Sequence, residues 1–246
     1  MTKFFRCSLA IALVLAVALG LPLSRTAGAD TVKQVDTVLE LYTSQGCSSC
    51  PPADALLGEV SSRPGILGLS FAVTYWDYIG WKDSFADPRN DQRQTAYRQR
   101  LNARYVYTPQ MIIAGRDHFV GSDRAALENS LQTHAGHGKD MPLVWDMDSD
   151  RLHIRLPARD ISAVIWMAEL DNTGTVSIRR GENAGRTITY HNVVHDFRAL
   201  RDWDGTAGTV EIDLATLRLK KRDGCAILIQ KDGHGPILAA LDIRLD

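Results

Sequence analysis

The sequence predicts a two-part chain, an α/β domain over residues 31–135 followed by an all-β, sandwich-like domain over 140–246. Three observations carry this expectation. Residues 38–60, VLELYTSQGCSSCPPADALLGEV, read as strand, C-x-x-C, helix. Residues up to about 132 continue with elements of both periods. After the histidine- and glycine-bearing stretch around Gly136 and Gly138 the pattern changes to short strands between turn signals.

Taken in order, Val38, Leu39, Leu41 and Tyr42 form an apolar run suited to a strand covered on both faces, with residues 43–46 as the turn. Glu40 is the single charge in that run and reads as an edge or solvent-facing residue, or alternatively as a partly buried carboxylate near the cysteines. Pro51 and Pro52 fit a first helical turn, where a missing N–H costs nothing, and Leu56, Leu57 and Val60 recur at helical spacing. A strand follows over 67–75, then a polar stretch with Tyr75, Trp76, Tyr78 and Trp81, which line either a groove or a core. A helix is expected over 91–101, strands over 110–114 and 118–120, and a closing helix from about 123 to 132 capped by Ser122 or Asp123. In the second part, strands are expected over 151–156, 163–170, 175–180, 186–196, 208–213, 226–231 and 237–243. The turns between them are marked by Asp171-Asn172-Thr173-Gly174 and Gly181-Glu182-Asn183-Ala184-Gly185, among others.

The chemistry concentrates on Cys47 and Cys50. A cysteine at a helix N-terminus faces unpaired N–H groups and the positive end of the helix dipole, both of which stabilise the thiolate that attacks disulfides. Two intervening residues let the sulfurs bond across one turn, so dithiol and disulfide interconvert with little backbone movement. Cys47, ahead of the helix, reads as the solvent-reachable attacking thiol and Cys50 as the resolving one. The alternative is a small structural disulfide tying loop to helix. Cys225, alone in an apolar strand pattern, reads as a buried small hydrophobe.

LYTSQGCSSC resembles the first strand and active-site loop of glutaredoxins and thioredoxins. Tyr107-Thr108-Pro109-Gln110, followed by Val120-Gly121-Ser122-Asp123, is similar to the glutaredoxin Thr-Val-Pro strand and its Gly-Gly-x-Asp turn. Over its whole length the chain resembles a family of uncharacterised bacterial secreted proteins with a thioredoxin-like N-terminal domain, sharing YTSQGCSSCPPAD, Tyr-Trp-Asp-Tyr and GENAGRTITYHNVV. The resemblance implies a thioredoxin-like α/β N-terminal domain. It implies that Thr108-Pro109 is cis, with Pro109 facing the cysteines and Thr108 offering its backbone to a thiol substrate by strand addition. It also implies that Gly121, Ser122 and Asp123 present N–H groups to a carboxylate of glutathione or of a peptide, the alternative being an ordinary helix cap. Tyr107 stands where glutaredoxins have Thr, and no basic residue lies between the strand and the cysteines.

Residues 1–29 carry Lys3 and Arg6, an apolar run to about Leu23 broken by Gly20 and Pro22, and an Ala27-Gly28-Ala29 ending, the pattern of a cleaved secretory signal peptide. Cleavage removes three of the 28 basic residues and none of the 29 acidic ones. The remaining charge, about −4, argues against a nucleic-acid partner. A periplasmic or secreted location without stable membrane insertion follows, in an oxidising compartment where one C-x-x-C pair reads as catalytic rather than as a framework. The seven histidines make no recognised ligand spacing with the cysteines, and no phosphate loop, serine elbow or paired-carboxylate site occurs, so neither a metal nor a cofactor is expected. The function expected is an exported thiol–disulfide oxidoreductase acting on protein or small-molecule thiols and disulfides. The alternative is a non-catalytic module of the same fold that holds a thiol ligand or Cu(I).

Overall fold

A computed structural model describes residues 30–134 and 136–246; residues 1–29, where a signal peptide is expected, lie outside the described residues. The strands are β1 (Thr31–Gln34), β2 (Thr37–Thr43), β3 (Ile66–Ala72), β4 (Gln110–Ile113), β5 (Asp117–Val120), β6 (Val144–Asp148), β7 (Arg151–Leu156), β8 (Ala163–Ser177), β9 (Thr187–Trp203), β10 (Gly208–Asp213), β11 (Gly224–Lys231) and β12 (Ile237–Arg244). The α-helices are α1 (Pro51–Ser61), α2 (Pro88–Arg100), α3 (Arg124–His134) and α4 (Leu214–Leu219). Nine strands form one sheet in the order β1-β12-β11-β8-β9-β3-β2-β4-β5, and β10-β7-β6 form a second.

β2 is the centre of the first part. Each of its residues is buried, and its pleat sends Leu39 and Leu41 to one face and Val38 and Tyr42 to the other. The first face receives Leu56, Leu57 and Val60 of α1 and Leu127 of α3. Burying each such side chain stabilises the fold by about 1.5–3 kcal/mol, which is what seats α1. β2 runs parallel to β3 and antiparallel to β4, and β4 pairs with β5 at the edge. The opposite face is covered by α2, whose sequence has no apolar stripe and which docks through buried Asn90, Arg93, Gln94 and Tyr97. Asn90 Nδ2 donates to the Ala72 carbonyl and Gln94 Nε2 to the Tyr107 carbonyl, each at 2.8 Å.

The large sheet runs without interruption from the first part into the second. β3 meets β9 in parallel at Ser70 and Val193, and Asn192 Nδ2 donates to the Gly68 carbonyl at 2.8 Å across the same seam. The other end of the chain closes the far edge, where β1 pairs with β12 from Thr31–Arg244 to Gln34–Leu241. The three-stranded sheet stacks on that half, with Leu152 and Ile154 of β7 against Ile165 of β8, Ile227 of β11 and Leu241 of β12.

One expected turn is not a turn. Asp171-Asn172-Thr173-Gly174 lies inside β8, paired through Asp171–Val193, Thr173–His191 and Gly174–Tyr190, because a fifteen-residue strand laid along seventeen-residue β9 outweighs local turn chemistry. Gly174 is there for close packing. A Cβ on it would come within 2.6 Å of Phe85 Cζ. The true reversal of this hairpin is residues 178–186, with Gly181 and Gly185 at φ 77° and 84°. No helix among the described residues is long and apolar enough to cross a membrane.

Candidate functional site

The site begins where β2 ends. Ser44-Gln45-Gly46 turn the chain, the Cys47 N–H donates to the Ser44 carbonyl at 3.1 Å, and the Cys50 N–H donates to the Cys47 carbonyl at 3.2 Å. α1 then starts on Pro51 and Pro52, with Cys50 as its N-cap residue. The two cysteines form a disulfide with Cα atoms 5.4 Å apart. Ser49 Oγ lies 3.4 Å from Cys47 Sγ.

The expected exposure of Cys47 does not hold. Cys47 is 1% exposed and Cys50 0%, while Ser48 and Ser49 above them face solvent. The cover comes from the second half of the chain. Asn183, at the β8–β9 reversal and itself 1% exposed, donates from Nδ2 to the Gln45 carbonyl at 3.0 Å and to the Cys47 carbonyl at 2.8 Å. The Ser48 N–H donates to Glu182 Oε2 at 3.3 Å. The loop after β3 supplies the other wall: Trp81 Nε1 donates to Gln45 Oε1 at 2.8 Å, and the Gln45 N–H donates to Asp83 Oδ2 at 2.7 Å. Sequence reasoning took GENAG for a plain turn, and its asparagine carried no signal that it would reach a backbone more than 130 residues away.

Thr108-Pro109 is cis. Pro109 is buried, and its Cβ lies 3.2 Å from where a Cβ on Gly121 would sit, a point equally close to Ala53 of α1; the Gly121 N–H donates to the Pro109 carbonyl at 2.9 Å. The structure thus brings Pro109, Gly121 and the first turn of α1 together. Thr108 is linked to the cysteine loop through Trp76, whose Nε1 donates to Thr108 Oγ1 at 2.7 Å and whose Cβ is 3.1 Å from a Cβ placed on Gly46. The Thr108 N–H and C=O make no backbone hydrogen bond among the described residues. Ser122 and Asp123 are exposed, and Asp123 caps α3 by accepting from the Ala126 N–H at 3.0 Å, the arrangement of an ordinary cap.

Glu40 is neither at an edge nor beside the cysteines. It is 1% exposed on the sheet face opposite α1, where Arg93 donates to it from Nε and Nη2 at 2.7 and 2.9 Å and the Tyr97 hydroxyl donates at 2.6 Å. The Arg93 guanidinium lies 4.3 Å from the Phe197 ring centre and 4.9 Å from that of Tyr97, so the charge is held by a carboxylate and aromatic faces together.

The carboxyl on the cysteine side is Asp54, one turn after Cys50. It is 2% exposed; Thr43 Oγ1 donates to its Oδ1 at 2.7 Å, and Oδ2 has no partner among the described residues. Burial pushes its pKa up to about 8, against the lowering hydrogen bond from Thr43, and the nearby Asp83 carboxyl raises it further. Asp83 is pushed up to about 6, again chiefly by burial. The Tyr190 hydroxyl of β9 is also buried without a partner among the described residues, and the Asp54 and Asp83 carboxyls both raise its pKa. In the sequence Asp54 looks like any acidic residue in a first helical turn. Only the tertiary fold reveals its burial. A groove of about 580 Å³ opens beside Pro51 and Ala55, walled by Arg186, Ile188 and His191. Among the described residues no group of three or more His, Cys, Asp or Glu side chains is placed to hold a metal ion. Cys225 is buried in β11 against the second sheet, and burial pushes its thiol pKa well up.

These features define a mixed α/β protein with a buried disulfide at a helix N-terminus, roofed by a hairpin from its own second half. Residues 38–230 match the family described as "Protein of unknown function (DUF1223)", and the chain belongs to that family. The chain is similar to an Agrobacterium tumefaciens protein of known crystal structure, with 33% identity over 87% of this chain and 95% of that one and a TM-score of 0.73. It shares a fold with HBP35 of Porphyromonas gingivalis at 12% identity, over 84% of this chain and 74% of that one, with a TM-score of 0.54. No curated protein matches.

Proposed function

We propose that the protein is an exported thiol–disulfide oxidoreductase whose exchange centre is Cys47–Cys50. The carrying observation is the position of this disulfide: it closes a ring of four residues at the start of α1, where the Cys50 N–H already bonds the Cys47 carbonyl. A loop that short removes little entropy from the unfolded chain, about 2 kcal/mol in the chain-entropy estimate, so stapling is a poor use of it. Reversible exchange is a good one.

The first part is a thioredoxin-like unit in this reading. That is supported by the order β3-β2-β4-β5, with parallel β2 and β3, antiparallel β4 and β5, α1 and α3 on one face and α2 on the other. An oxidising compartment is supported by the disulfide and by the leader-like residues 1–29. The substrate is a disulfide R–S–S–R′ on an extended segment, which can pair with the N–H and C=O of Thr108, neither of which makes a backbone hydrogen bond among the described residues. The Cys47 thiolate attacks one sulfur and expels R′S⁻. The Cys50 thiolate then attacks Cys47, re-forms the Cys47–Cys50 bond and expels RS⁻, leaving the protein oxidised and the substrate reduced by two electrons. Run backwards, the same steps oxidise a dithiol.

The test is trapping together with a potential. Cys50→Ser is expected to accumulate mixed disulfides on Cys47, and Cys47→Ser is not. The wild-type couple is expected between about −120 and −270 mV, the range of cycling pairs. A potential below about −300 mV, or equal trapping by the two variants, would return the pair to the role of a staple.

A further inference from the structure

A cavity of about 370 Å³ lies on the sheet face opposite α1, bounded by α2, by β8 and β9, and by the turn between β11 and β12. Its lining joins Arg93, Phe197, Trp166 and His234 with Arg89 and Arg198. We propose that this cavity binds a small aromatic monocarboxylate, whose carboxylate accepts a hydrogen bond from Arg93 Nη1 while its ring lies against Trp166 and Phe197.

Arg93 is 4% exposed, and one side of its guanidinium is fully used: Nε and Nη2 donate to Glu40 at 2.7 and 2.9 Å, and Nη2 also donates to Gln230 Oε1 at 3.1 Å. Nη1 is buried and has no hydrogen-bond partner among the described residues. A buried charged donor left in that state is uncommon, because buried polar groups are as a rule satisfied. The guanidinium cannot turn to relieve it. Gln230, which holds it, donates in turn from Nε2 to the Tyr97 hydroxyl and to the Gly235 carbonyl, each at 2.8 Å, and so ties it to the turn that carries His234. Two strand irregularities fall at this place: the β8–β9 register shifts between Ile165 and Trp166, and the β11–β12 register between Ile229 and Gln230. Such shifts re-aim side chains, and bulges are over-represented beside functional sites.

The walls define the body of the ligand. Trp166 and Phe197 stack with ring centres 5.0 Å apart and planes 17° from parallel, and the His234 ring lies 5.8 Å from that of Trp166. His234 stands at φ 55° between Gly233 and Gly235, and burial, helped by the Arg93 charge, holds its pKa below the ordinary value, so it presents a neutral ring. Flat aromatic walls favour a flat aromatic guest, and the volume is that of a small-molecule pocket. Charge then fixes the polar group. No carboxylate lines the cavity among the described residues. Glu40 pairs with Arg93, Asp196 with both Arg89 and Arg198, Asp87 with Arg89 and Glu169 with Arg198, so these cations are balanced from outside the cavity. The cavity therefore offers a strong donor with little surplus charge. A single carboxylate suits that, and a dianionic phosphate would be left uncompensated.

The experiment titrates the whole protein calorimetrically with benzoate, trans-cinnamate and indole-3-acetate, and compares each acid that binds with its own amide and with inorganic phosphate. At least one of the three acids is expected to bind with a Kd below about 1 mM, its amide at least about tenfold more weakly, and phosphate is not expected to displace it. Arg93→Lys keeps a charge for Glu40 but removes Nη1, and should weaken binding at least about tenfold. Ala199→Trp, at an exposed position of the lining, fills the mouth without touching the Arg93 network and should abolish binding. Should Arg93→Lys not fold, Ala199→Trp decides together with the Trp166 indole N–H resonance, which is expected to shift as the acid is added to the wild-type protein. Failure of all three acids to bind, an amide that binds as tightly as its acid, displacement by phosphate, an unmoved Trp166 resonance, or undiminished binding by either folded variant overturns the proposal. None of these outcomes depends on exchange at Cys47–Cys50, so the oxidoreductase reading stands or falls separately.

Discussion

Removing the Asn183 side chain should unlock the disulfide. In Asn183→Ala two hydrogen bonds disappear together, to the Gln45 carbonyl at 3.0 Å and the Cys47 carbonyl at 2.8 Å. A neutral intramolecular hydrogen bond contributes about 1 kcal/mol net, so closure of the hairpin over the cysteine loop loses about 2 kcal/mol. When the hairpin lifts, both carbonyls regain water, so the loss falls on the closed state. Because Cys47 is 1% exposed under this cover, a small thiol reaches it only through the open form. At 1.4 kcal/mol per tenfold, reduction of the disulfide by excess dithiothreitol should speed up by about 30-fold. The assay is quenched alkylation of freed thiols over time in wild type, Asn183→Ala and Glu182→Ala. The Glu182 contact is a single exposed bond of 3.3 Å, so its loss should change the rate by less than about threefold. An Asn183→Ala rate equal to wild type would mean that the thiol reaches Cys47 by another path, and the roof would then be only a packing feature.

Two further outcomes test the energetics around the site. Glu40→Gln should lower stability to urea by about 3–5 kcal/mol, since it leaves the 4%-exposed Arg93 charge without its carboxylate; Glu40→Met with Arg93→Met should cost less than the single change, and the reverse order would refute the reading of a paired buried charge. The raised carboxyls set a pH trend: Asp54 and Asp83 hold protons in the folded state up to about 8 and about 6, whereas the unfolded chain releases them near 4, so their contribution is full below about pH 4 and is lost as pH rises through 6 and 8. The urea midpoint of the oxidised protein should therefore fall between pH 5 and 8.5 and should do so less in Asp54→Asn; a midpoint that rises over that interval would contradict the burial argument.

How much of this was legible beforehand divides by the range of the interaction. β2, the turn and α1 follow from neighbouring residues, an apolar run, a glycine, a C-x-x-C and two prolines, and each acts within a few positions. α2 was expected only from residue 91, past its start at Pro88, since its buried side is Asn90, Arg93, Gln94 and Tyr97 and carries no hydrophobic period. β1 was missed because its partners, Leu241 to Arg244, lie at the other end of the chain. Glu40 was misplaced for a related reason: its neutralising partner, Arg93, sits in a different element, and one charge in an apolar run looks like an edge until its counter-ion is known. Asp54 and Asn183 are the same problem at the site. Each is an unremarkable residue for its local structure, a first-turn aspartate and a turn asparagine, and each meets its partners outside its own element: Asp54 meets Thr43 and Asp83, and Asn183 meets Gln45 and Cys47 more than 130 residues away.

The reach of Asn183 also ties access to the cysteines to the burial of the neighbouring carboxyls. Gln45, 0% exposed, is held on three sides: its N–H by Asp83, its side-chain amide by Trp81 and Ser84, and its carbonyl by Asn183. The hairpin that covers Cys47 therefore shares a contact residue, Gln45, with the Asp83 carboxyl. The Asp54 proton is retained because burial excludes water, and burial is the largest cause of its shift. A hairpin that lifts to admit a substrate disulfide admits water to the same region, weakens that desolvation and lowers the affinity of Asp54 for its proton. Asn183→Ala reports on this as well as on access: titrated through the Asp54 carboxyl, its midpoint should move from about 8 toward the ordinary carboxylate range, and a midpoint unmoved in a variant whose disulfide has become accessible would show that the hairpin covers Cys47 without keeping water from Asp54.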